Sequence, residues 1–127
     1  MNIVVWIVQI LLGLAFIAFA YAHSFGAAQT QLQPGAQWIG DVPQPLLIFI
    51  ALCEFLGGIG LILPAATKIQ PRLTPLAAAL LAVMMVLAAG FHLTRGEYPN
   101  IVFNLILGAL AAFVAYGRWV IAPLKAS

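Results

Sequence analysis

Long apolar runs alternate with short polar stretches along this chain. The runs are Ile3 to Ala22, Leu46 to Leu63, Leu76 to Leu93 and Ile101 to Val120. Each is about long enough to cross a hydrocarbon core of roughly 30 Å at ~1.5 Å per residue. Backbone groups find no water in lipid, so each run is expected to be a helix. Prolines mark the borders. Pro45 and Pro75 take first-turn positions, where a missing N–H costs little, and Thr74 stands as an N-cap. Pro64 is expected to close the second run, Pro99 to introduce the fourth and Pro123 to follow it. Ala20-Tyr-Ala22 resembles a signal-peptide cleavage site. However, no Lys or Arg precedes it, and the run exceeds the roughly 7–15 apolar residues of such peptides, so retention as a membrane helix is expected.

The second and third connections are short, which makes their helices antiparallel neighbours. The first, residues 24–44, is long, rich in Gln, Gly and Ala, and contains Trp38. It either covers one mouth of the bundle or rests on the lipid surface.

Composition strengthens this reading. The 127 residues are 65% hydrophobic and 6% charged, against roughly 25% charged in a soluble domain. Lipid must be the main solvent, and residues 1–127 read as one integral membrane domain. The net charge of +2 comes from a few loop cations and excludes a nucleic-acid surface. Lys68, Arg72, Arg118 and Lys125 fall on one side of the membrane, and Arg95, Asp41 and Glu97 on the other. The positive-inside rule then places both termini in the cytoplasm. The lone Cys53 cannot form an internal disulfide, and it reads as a small apolar residue.

Few side chains can do chemistry. Glu54 interrupts the run LCEFLGGIGLILP at about mid-depth. An intramembrane carboxylate costs about 2.5–3.5 kcal/mol to insert, so it must face the bundle, protonated or paired. It either makes a structural hydrogen bond to another helix or serves a ligand or proton. Gly57 and Gly58 sit one turn on, and they either admit a neighbouring helix or leave room for a ligand. His23 and His92 lie toward the opposite side from the termini, as interfacial residues or as walls of a site. Asn100 and Asn104 share a helix face with Gly108 and Ala112, suited to interhelical hydrogen bonding. On straight helices Glu54 is displaced from either histidine by roughly 12–16 Å along the axis. Convergence of Glu54, His23 and His92 on a metal is therefore not expected.

The segments CEFLGGIGLILPAATKIQPRLTPLAA, VMMVLAAGFHLTRGE and NIVFNLILGALAAFVAYGRW carry a resemblance. The order of Glu54, Gly57-Gly58, Pro64, Pro75, His92, Gly96-Glu97, Asn104 and Tyr116-Gly117-Arg118 is similar to that of the DoxX-like family of small four-helix membrane proteins. Ala20 and His23 stand where that family often has a Gly and a Lys. The resemblance implies a redox-associated membrane subunit, with a quinone as the ligand and a redox protein as partner.

The expected architecture is an all-α, four-helix transmembrane bundle with cytoplasmic termini, in the cytoplasmic (inner) membrane of a bacterium or archaeon. Glu54, Gly57, Gly58, His23, His92, Asn104 and Trp38 are the candidate ligand-binding residues around a polar cavity. Three functions stay open: binding of a quinone or other hydrophobic small molecule, acid–base catalysis by Glu54 and His92 on a lipid-soluble substrate, and a structural or assembly role. Self-association is compatible with each.

Overall fold

A computed structural model describes residues 1–125. Its helices are α1 (Asn2–Ala22), α2 (Ala27–Thr30), α3 (Gln44–Thr67), α4 (Leu73–Arg95) and α5 (Tyr98–Tyr116). A 3-10 turn, Gln37–Asp41, precedes α3, and a π-helical turn, Gly117–Ile121, continues α5. Four helices (α1, α3, α4, and α5 with its π turn) are long and apolar enough to span a membrane. They close a ring in which α1 packs on α3 and α5, and α4 packs on α3 and α5. Both termini therefore lie at one end, the terminus end. The loop between α1 and α3 lies at the other, the histidine end.

The inward positions repeat at steps of three or four. In α3 they are Leu47, Ala51, Glu54, Gly58, Leu61 and Ala65, and in α4 they include Ala78, Leu81, Met85, Ala89 and His92. This is the seam spacing of a left-handed bundle. Outward positions carry exposed Leu, Ile, Val and Phe, such as Leu11, Phe49, Leu87 and Ile106. Lipid tails match that surface, so the inward face need not be the more apolar one. Small and polar residues can collect there.

Pro64 does not end the second span. Helix α3 runs on to Thr67, with Lys68 in the left-handed conformation closing it. A proline removes the N–H that would bond the carbonyl four residues back, here that of Gly60. The Thr74 hydroxyl of α4 donates to that carbonyl at 2.9 Å. The next carbonyl, of Leu61, accepts from Gln9 Nε2 of α1 at 2.6 Å. Neighbouring helices thus repair the defect, as lipid-embedded prolines require.

The long connection is folded onto the histidine end. Thr30 Oγ1 donates to the Gly26 carbonyl at 2.7 Å, and Ile39 is buried. Between α4 and α5, Gly96 adopts a left-handed conformation with φ 71°, which turns the chain within two residues.

Candidate functional site

Helix register decides which polar groups meet. At the α1–α3 crossing, a Cβ on Gly58 would lie 2.7 Å from the Gly13 carbonyl oxygen and 2.8 Å from Ile17 Cγ1. Gly58 is therefore level with the Gly13–Ile17 turn. His23 lies about 9–11 Å above that level and Glu54 about 6 Å above it, at ~1.5 Å per residue. The offset is only a few ångström, within side-chain reach. His23 Nδ1 and Glu54 Oε1 accordingly meet at 2.6 Å, with Glu54 2% exposed. The sequence expectation of roughly 12–16 Å assumed each span was centred between its prolines. Close glycine packing slides α1 against α3 and removes most of that gap. Gly57 also packs against a helix, since a Cβ there would meet Leu81 Cδ2 of α4 at 2.6 Å.

His92 has a separate partner. Its Nδ1 lies 2.9 Å from Glu97 Oε1. The same carboxylate oxygen accepts from Arg95 Nε at 2.9 Å, and Arg95 Nη2 donates to Asp41 Oδ2 of the loop at 2.6 Å. Asn100 Nδ2 donates to the Gly35 carbonyl at 2.7 Å. The α4–α5 corner thus holds the loop at two points. Burial pushes the Glu97 carboxyl up, but hydrogen bonds from His92 and Arg95, with their charges, outweigh it and hold it below the ordinary 4.5.

The loop returns a side chain between the two histidines. The Trp38 ring lies 5.1 Å from that of His23 and 5.4 Å from that of His92, both edge-on. Phe91 flanks Trp38 at 6.1 Å, and Phe19 stacks on His23 at 6.5 Å. Trp38 therefore fills the space between the imidazoles, where the sequence suggested an open cavity. Both rings are engaged through Nδ1, and neither Nε2 has a hydrogen-bond partner among the described residues. Asn104 Nδ2, buried on α5, also has no partner among them.

Residues 7–114 match the model of the DoxX-like family. The chain belongs to the DoxX-like family. No curated protein and no solved structure matches it significantly. In this DoxX-like chain, the matched span contains every residue of the His23–Glu54 and His92–Glu97 pairs, Trp38 and Asn104.

The expected candidates are thus sorted by the fold. Glu54, His23, Trp38 and His92 gather at the histidine end. Gly57 and Gly58 serve helix contacts, and Glu54 bonds His23 rather than His92. Among the described residues, no group of three or more His, Cys, Asp or Glu side chains is arranged to hold a metal ion. From sequence, Gln9 has no role, Thr74 is an N-cap and Arg118 is only one of the cations of the terminus side. Thr74 instead lies inside α4, whose N-cap is Arg72, and its hydroxyl donates to the Gly60 carbonyl.

Proposed function

We propose that this DoxX-like membrane protein is a redox-associated subunit that binds a quinone or a similarly hydrophobic molecule with a polar head. The binding end is the histidine end, facing away from the cytoplasm of a bacterial or archaeal inner membrane. The observation that carries this reading is the 2.6 Å contact between His23 Nδ1 and the buried Glu54 carboxyl, roofed by Trp38. A carboxyl and an imidazole that share one proton can present either a donor or an acceptor. A carbonyl head group needs the first and its reduced hydroxyl form the second. The Nε2 of His23 and the Nδ2 of Asn104, both without a partner among the described residues, are further anchors. Trp38 and Phe19 supply aromatic surfaces for a flat ring. Trp38 rides on the loop, so its displacement admits the ligand. The chain's residues bind, orient and exchange protons, and the electrons come from a redox partner protein.

The test is purification in mild detergent from quinone-containing membranes, followed by organic extraction and mass spectrometry. A co-purifying quinone is expected, reduced about tenfold or more in Glu54→Gln and in His23→Ala, since each removes a buried hydrogen-bonding group. Equal retention in the wild type and both variants would contradict the site.

A structural reading has one observation in its favour. The Asp41–Arg95–Glu97–His92 chain is satisfied internally and ties the loop to the α4–α5 corner. Under that reading the same variants lower stability but change no bound compound.

A further inference from the structure

The acidic side chains are segregated to one end, where Arg95 pairs with two of them. The acidic side chains Asp41, Glu54 and Glu97 all lie at the histidine end or face it, whereas Lys68, Arg72, Arg118 and Lys125 lie at the terminus end. Arg118 is the most deeply placed of these cations, at 3% exposure. Its guanidinium is held by neutral groups. Nε donates to Gln9 Oε1 at 2.8 Å, and Nη1 donates to Asn2 Oδ1 at 2.7 Å and to the Ala122 carbonyl at 2.9 Å. The Trp6 ring covers it at 5.1 Å. Nη2 has no partner among the described residues, and no carboxylate side chain pairs with Arg118 there. A buried cation without a counter-charge is costly, and fixed neutral oxygens offset only part of that cost.

Arg118 lines a cleft of about 600 Å³ between the start of α4 and the end of α5, together with Arg72 and Gln70. Its Nη2 lies just beneath the surface, so a ligand reaches it by a small side-chain shift. Trp119, Pro123 and Leu124 form its apolar side. A second cleft of about 410 Å³, lined by Lys68 and Lys125, shares Pro123 and Leu124 with it. Arginine forks match phosphate oxygens in pairs.

We propose that this cleft is an oxyanion site, in which the phosphate of an anionic glycerophospholipid bridges Arg118 and Arg72 with the Gln70 amide as a further donor. The apolar wall beside the cations favours a lipid over a free anion, because an acyl root can lie along it. The site is separate from the histidine end and does not depend on the function proposed there.

The experiment follows thermal unfolding of the detergent-solubilised chain with added phosphatidylglycerol, phosphatidylcholine or inorganic phosphate. Phosphatidylglycerol is expected to raise the midpoint saturably, and phosphatidylcholine is not. Arg72 is exposed, so Arg72→Gln spares the fold. It is expected to weaken the phosphatidylglycerol response about tenfold, the scale of one charge-assisted contact. Arg118→Gln should abolish the response. If Arg118→Gln does not fold, the Arg72→Gln result alone decides. Saturable protection by inorganic phosphate, also weakened in Arg72→Gln, supports the oxyanion site with a free anion as its occupant. Equal responses to both lipids, or an unchanged response in Arg72→Gln, overturn the proposal.

Discussion

Glu54 shows how one residue can be legible in position and illegible in partnership. A single carboxylate in an apolar run had to face inward, and it does. Its partner depended on an offset between helices that hydropathy does not encode. His23 supplies the imidazole, and its removal leaves a buried acceptor unsatisfied. His23→Ala is therefore expected to cost about 1–3 kcal/mol in detergent unfolding. Glu54→Gln keeps a hydrogen-bonding group and should cost less. Glu97 behaves differently because it sits outside the spans. Its folded pKa is lowered, so its stabilising contribution is present above the ordinary 4.5 and is lost as the pH falls through the folded value. Arg95 stays charged throughout, and His92 is the other group bonded to this carboxylate. Acidification below that window should release the loop and shift Trp38 fluorescence, and Glu97→Gln should show the shifted signal already at neutral pH.

At the scale of elements, lengths and order of the helices were readable, but the end of α3 was not. A proline stops a helix only when its orphaned carbonyl finds no other donor. Thr74 comes from the next helix, and that pairing has no local signature. A double-mutant cycle tests it. Thr74→Val should destabilise by about 1 kcal/mol in the native background. It should cost clearly less with Pro64→Ala, where the Gly60 carbonyl regains its own helical donor. The α1–α3 crossing gives a second contrast. Gly58→Ala places a Cβ 2.7 Å from backbone oxygen and should cost about 1–3 kcal/mol. Gly90 has nothing within 4 Å, so Gly90→Ala should be neutral or stabilising by up to about 1 kcal/mol. The Gly58 change should also part His23 from Glu54, because one contact sets the register of both.

For the molecule as a whole, the apolar exterior and the four spans were evident from composition and periodicity. For Trp38 the sequence left two readings open, over the mouth beside the histidines or on the lipid surface, because the choice depends on how a long polar connection folds back. The proposed orientation puts the cationic terminus end in the cytoplasm. A C-terminal green fluorescent fusion should be bright, and a C-terminal alkaline phosphatase fusion inactive. The reverse pattern would put the histidine end inside. The central claim is that Glu54, His23 and Trp38 form a ligand site, and Trp38 itself can report on it. With Trp6 and Trp119 changed to Phe, a short-chain quinone is titrated while Trp38 emission is followed. Saturable quenching is predicted, with the midpoint raised about tenfold or more by Glu54→Gln. Linear, unsaturable quenching that is identical in both proteins would contradict the account.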